Sequence, residues 1–161
     1  MLTVSPLRDD AKAEFERLFS DYYTELECDE DVPHLLADYV IPDLLAGLLH
    51  IDILKDGQTY VGFVIYQKDD IDNEWNKKEG WGDIREIYVS PAHRLNGLGK
   101  FLLFTAEMKL KESGIERCYA MPCEGAQKFF EKCGYTRGRE YDEELDCFVY
   151  EKLRLNKNCG K

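Results

Sequence analysis

The chain has 161 residues, 44% of them hydrophobic and 33% charged, a composition that fits one globular domain with a substantial core and excludes a disordered chain. Its net charge of −11 argues against nucleic acid as a partner, because phosphate binding needs clustered Lys and Arg. The same charge permits a cationic partner, and no apolar run approaches the ~20 residues of a membrane span.

Leu2 to Leu7 reads as a short edge strand. Asp9 or Asp10 is placed to cap a helix whose apolar positions Ala11, Phe15, Leu18, Phe19 and Tyr22 follow the helical period. Between 21 and 31 stand Asp21, Glu25, Glu27, Asp29, Glu30 and Asp31, with no Lys or Arg among them. This acidic segment reads as a loop. Pro33 can open a second helix, with Leu35, Leu36, Tyr39 and Val40 toward the interior, and Pro42 is expected to interrupt or end it. His50 to Lys55 and Tyr60 to Gln67 read as strands around an Asp56-Gly57 turn. Lys68 to Gly80 is polar and reads as a mobile hairpin loop.

Trp81 to Ser90 is expected as a strand, and Gly97 to Ser113 as a helix closed by Gly114. Ile115 to Met121 reads as a strand and Glu124 to Cys133 as a short helix. Tyr135 to Arg139 and Leu145 to Leu155 read as strands joined by a second acidic turn, ahead of a polar tail from Asn156 to Lys161. A helix crossing between two strands implies at least one parallel pair. There is no internal repeat and no linker, so residues 1–161 are expected to form one mixed α/β domain.

The N-terminus lacks the basic and apolar regions of a signal peptide, which leads to an expected cytoplasmic location. Cys28, Cys118, Cys123, Cys133, Cys147 and Cys159 form no Cys-x-x-Cys pair. His34, His50 and His93 have no ligand-like spacing, so no metal is expected.

The most informative run is Ile87-Tyr88-Val89-Ser90-Pro91-Ala92-His93-Arg94-Leu95-Asn96-Gly97-Leu98-Gly99-Lys100. It is a strand, a Pro turn, an Arg-x-x-Gly-x-Gly loop and the start of an amphipathic helix. A Rossmann loop would need a third glycine where Leu102 stands, and a Walker loop would need Gly-Lys-Ser/Thr. Neither is present. The N–H groups of such a helix start, at the positive end of its dipole, suit a pyrophosphate.

Arg94, Gly97 and Gly99 resemble the acyl-CoA loop of the GNAT superfamily of N-acetyltransferases. Ala126-Gln127-Lys128-Phe129-Phe130-Glu131-Lys132-Cys133-Gly134-Tyr135 resembles its second signature, Ala-x-x-Phe-Tyr-Glu-Lys-x-Gly-Phe. The resemblance implies the acyl-CoA N-acyltransferase fold, a mixed, mostly antiparallel twisted sheet of about six to seven strands flanked by about four helices. It implies acetyl-CoA as co-substrate, without a metal. The acetyl group would pass to a primary amine, a small cationic amine or an exposed peptide amine, by direct attack in a ternary complex.

By the same resemblance the backbone of Ile87, Tyr88 and Val89 would meet the pantetheine arm and the thioester. The turn made of Arg94, Leu95, Asn96, Gly97, Leu98, Gly99 and Lys100 would hold the pyrophosphate. An amine of pKa about 10.4 is protonated at neutral pH, so a carboxylate is needed to take its proton. Glu86 matches acidic positions of several family members, and Asp83 matches the glutamate of the histone-type members. Strand alternation puts the two on opposite faces.

The departure from the pattern is Phe130, which stands where many members carry a tyrosine beside the departing thiolate. It can pack on the pantetheine but donates no proton. Tyr88, Tyr119 or Cys123 would have to replace it, or the thiolate leaves unaided. The alternative reading is a non-catalytic acyl-CoA-binding or regulatory module with the same fold. Related proteins often dimerise through a long strand such as Leu145 to Leu155, so a homodimer is expected.

Overall fold

A computed structural model describes residues 1–70 and 77–155. The expected polar tail, Cys159 and the middle of the expected 68–80 loop lie outside the described residues. Seven strands form one sheet: β1 (Leu2–Pro6), β2 (His50–Asp56), β3 (Thr59–Lys68), β4 (Gly82–Val89), β5 (Cys118–Ala120), β6 (Thr136–Asp142) and β7 (Cys147–Lys152). Their order is β1-β2-β3-β4-β5-β7-β6. The pair β4–β5 is parallel, whereas β1–β2, β5–β7 and β6–β7 are antiparallel. The helices are α1 (Lys12–Glu25), α2 (Val32–Leu35), α3 (Ile41–Leu45), α4 (Leu98–Glu112) and α5 (Gln127–Lys132). The parallel pair is the one that the crossover helix α4 demands, since parallel neighbours cannot be joined by a tight turn.

The chain divides into two compact units, 1–65 with 86–103 and 66–85 with 104–161. In the first, Phe15, Leu18 and Phe19 on α1 are fully buried with Phe63 of β3, Ile51 and Ile53 of β2 and Tyr88 of β4. The expected helical period of α1 therefore marks its buried face. Each large apolar side chain so buried contributes roughly 1.5–3 kcal/mol. In the second unit Cys118, Tyr119 and Ala120 of β5 are buried, together with Leu110 of α4, Phe130 of α5, Tyr135 and Val149.

Several expected boundaries move. No Asp caps α1: Asp9–Ala11 form a 3-10 turn, and Ala11 precedes the helix without a side-chain cap. Pro42 does not end the second helix. A π-helical turn, Leu36–Val40, follows α2, and Pro42 sits in the first turn of α3, where its missing N–H is not needed. The strand expected over Ile115 to Met121 is only Cys118–Ala120.

The last strand is also shorter than expected, and it is not an edge. β7 lies between β5 and β6, so β6 is the edge on that side. Asp69, expected in a polar loop, is completely buried. Its carboxylate accepts from the backbone N–H groups of Lys77 (2.9 Å) and Lys78 (3.1 Å) and from the Tyr119 hydroxyl.

Candidate functional site

The first unit carries the strand end and turn singled out above. β4 ends at Val89, and Ser90 N–H donates to Val61 O (2.8 Å). Pro91–His93 form one 3-10 turn, and the chain then passes through two left-handed residues, Leu95 (φ 66°) and Gly97 (φ 77°), into α4. Leu95 is a bulky residue in a region that L side chains avoid, and its side chain stands wholly in solvent. Phe101 N–H makes an early bond of α4, to Gly97 O (3.0 Å). The N–H groups ahead of such a bond have no acceptor within a helix. Asn96, Gly97 and Lys100 are exposed, Gly99 half-buried and Leu98 buried.

Gly62 of β3 is a further candidate beside the end of β4 that the sequence does not single out. A Cβ there would lie 2.5 Å from Tyr88 O and 3.3 Å from Val89 Cα. Only glycine lets β3 approach the end of β4 this closely. No local signal reveals this, because an isolated glycine within a strand has several readings.

Arg94 does not simply project into solvent. Its Nε donates to Val89 O (2.7 Å), and its two terminal nitrogens donate to the two carboxylate oxygens of Glu25 (2.5 and 2.7 Å). The guanidinium also lies 5.5 Å from the Tyr88 ring centre. This bidentate pair ties the last residue of α1 to the turn after β4. The Arg94 hydrogen bonds hold the Glu25 carboxyl below its usual range.

That shift has a definite consequence for pH. A carboxyl whose folded-state pKa is depressed contributes stability that is present above the unfolded value, about 4.3 for Glu, and is lost as pH falls through the folded value. Asp142, paired with Lys77 at 2.5 Å, is lowered in the same way. Urea midpoints should therefore fall as pH drops below about 4. Glu25→Gln should flatten that slope.

The acidic segment is partly committed to structure. Asp21 pairs with Arg17 (3.1 Å), Glu25 with Arg94, and Asp31 accepts from His34 N–H (3.1 Å) to cap α2. Glu27, Asp29 and Glu30 are exposed.

Glu86 is half-buried on β4, and its Oε1 accepts from the Tyr23 hydroxyl of α1 (2.9 Å). Burial first, then Glu86, pushes the Tyr23 phenol far above its usual range, so it stays protonated. Asp83 is buried in the second unit, paired in register with Tyr119 of β5. Burial is the main reason that the Tyr119 phenol is raised, with Asp83 and Asp69 adding to it. Tyr119, a candidate proton donor from sequence, gives its hydroxyl hydrogen to Asp69.

Phe130 lies in the second unit, buried between Phe129 and Tyr135, both edge-on at 5.2 Å. Cys123 is exposed. Ile87 is half-buried, and Tyr88 and Val89 are buried. Among the described residues no group of three His, Cys, Asp or Glu side chains is placed to hold a metal. No described helix is long and apolar enough to cross a membrane.

The Acetyltransferase (GNAT) family matches residues 12–135. Among solved structures, the acetyltransferase of the GNAT family from Staphylococcus aureus superposes with a TM-score of 0.76 at 15% identity, covering 97% of this chain and 100% of that one. The PaiA N-acetyltransferase from Thermoplasma acidophilum, in complex with coenzyme A, gives 0.71 at 15% identity over 95% and 99%. N-acetylglutamate synthase from Neisseria gonorrhoeae, complexed with coenzyme A and N-acetyl-glutamate, gives 0.72 at 15% identity, covering 98% of this chain and 36% of that one. These likenesses show the fold, that of the acyl-CoA N-acyltransferases. No curated protein matches the chain in sequence. With the family matched over most of its length, the chain belongs to the GNAT acetyltransferase family and is an acyltransferase.

Proposed function

We propose that the chain transfers an acetyl group from acetyl-CoA to a primary amine by direct attack in a ternary complex. The acceptor is a small cationic amine or an exposed peptide amine. The observation that carries this reading is the placement of Glu86. A half-buried carboxylate sits on β4, three residues before the Val89 end from which the turn enters α4.

Acetyl-CoA supplies the activated acetyl thioester. The left-handed Gly97 and the start of α4 fit its pyrophosphate, with backbone N–H groups from Leu95 to Lys100 as donors, since the Arg94 N–H is already given to Pro91 O (3.3 Å). Arg94 shapes that turn through Val89 O, and Lys100 adds charge. The backbone of Ile87, Tyr88 and Val89 orients the thioester arm. Glu86 takes the amine proton, directly or through a water, with Asp83 as the second candidate. Glu27, Asp29 and Glu30 favour a cation nearby.

Thiol release from acetyl-CoA against a panel of amines tests this. One observation favours the second reading, a non-catalytic acyl-CoA-binding module: Phe130 packs edge-on against Phe129 and Tyr135 and has no hydroxyl to offer a thiolate. Binding without thiol release for every amine would select it.

Gly97→Val should weaken coenzyme A binding at least tenfold, about 1.4 kcal/mol. The space above Gly97 is open, so the effect comes from its positive φ, which a β-branched residue resists. Calorimetric titration with coenzyme A measures it, and unchanged affinity would remove the turn from the site. The homodimer expected through 145–155 is kept as a proposal without that edge, since β7 is paired on both sides, and a monomeric mass by light scattering at micromolar concentration would end it.

A further inference from the structure

We infer that Tyr23 is a positioning residue for Glu86, holding its carboxylate ionised and aimed for proton removal from the acceptor amine. This rests on Glu86 being the base. The two residues are 63 positions apart, and the contact is a single hydrogen bond of 2.9 Å from the phenol to Oε1.

The donor is built to stay put. The Tyr23 ring packs on Phe19 at 4.9 Å and edge-on against Tyr22 at 5.2 Å. Tyr22 in turn lies 5.7 Å from Tyr88, two residues beyond Glu86 on β4. Phe19 is fully buried, so this end of α1 is fixed by core packing. Burial holds the phenol in its protonated form. Across the working pH range it can therefore only donate to an ionised Glu86. A donor that never titrates favours the carboxylate over the carboxylic acid. It also fixes the orientation of a long side chain that would otherwise sample several rotamers.

Other charges face the same place. Cys28 and Glu30, from the segment after α1, act on the Tyr23 phenol in the same direction as Glu86. Glu25, Asp21 and Arg94 act electrostatically on Tyr88, two residues beyond Glu86. All remain in a Tyr23 variant, so they cancel in a comparison. The amine proton passes to Glu86, and Tyr23 keeps its own.

The experiment uses Tyr23→Phe, which keeps the ring and removes the hydroxyl. Two readouts are taken: kcat/KM against pH, and the carbon-13 titration of the Glu86 carboxyl, assigned by its loss in Glu86→Gln. The expected result is a rise of about one pH unit in both the carboxyl midpoint and the acid limb of the rate profile. The rate should recover toward the wild-type value above that limb. Incorporating 3-fluorotyrosine at position 23 keeps the shape and strengthens the donor, so it should move the midpoint down, and it serves if Tyr23→Phe fails to fold.

An unmoved midpoint overturns the inference. A rate lowered by one constant factor at every pH also overturns it, because Tyr23 is then only a bolt between α1 and β4. If the midpoint moves while Glu86→Gln leaves the rate intact, the hydrogen bond stands, the base assignment fails, and the positioning role falls with it.

Discussion

Glu86→Gln should lower kcat by about 10²–10⁴-fold at neutral pH, the usual range for loss of a positioned general base. Glutamine keeps the length of the side chain and an oxygen that can still accept from Tyr23, so the packing of α1 on β4 should survive. The loss should shrink as pH rises, because an amine of pKa about 10.4 then supplies its own neutral form. Asp83→Asn should have the smaller effect on rate. Asp83 is buried in register with Tyr119. Its replacement should appear first in the urea midpoint. Steady-state kinetics of both variants between pH 6 and 10, values chosen to bracket about two units either side of 8, decide the ranking. If Asp83→Asn shows the larger, pH-dependent loss, Asp83 is the base.

What the sequence disclosed is mostly local. Gly97 and the Pro91 turn punctuate the chain at β4 and α4, and the helical period of Phe15, Leu18 and Phe19 marks the buried face of α1. Strand positions and turns follow from neighbours within a few residues, so these elements are legible. Pro42 does not end the helical segment, because the π-helical turn Leu36–Val40 places it in the first turn of α3, where its missing N–H is not needed.

The site itself depends on distant pairings. Glu25 lies 69 residues from Arg94, and Tyr23 lies 63 from Glu86. Nothing in either local pattern selects the partner. Arg94 looked like a solvent-facing phosphate ligand because its motif is short. The carboxylate that meets it stands at the end of α1, inside a segment that read as a uniformly acidic loop. Glu86 and Asp83 were separable by strand alternation, but their surroundings were not, since Tyr119 and Asp69 come from other strands or loops.

Lys152→Met should cost about 3–5 kcal/mol, the range for removing one partner of a buried ion pair. Lys152 of β7 donates to Glu107 Oε2 of α4 at 2.8 Å, and both side chains are less than a tenth exposed. Glu107 Oε1 accepts from the Tyr135 hydroxyl at 2.9 Å. The buried Cys118 thiol lies near enough to both charges to respond to them, and burial raises it strongly. Without the ammonium, one hydroxyl is left to compensate a carboxylate in an apolar setting, and the unpaired charge carries most of the penalty. Glu107→Leu added to Lys152→Met should recover much of the loss, because the double variant leaves no unpaired charge at this place. Urea unfolding of the two variants measures both terms. If the single variant loses less than about 1 kcal/mol, the range of an exposed pair, water reaches Glu107 and the pair is not sealed. If the double variant recovers nothing, the loss comes from packing around Tyr135 and not from the stranded charge.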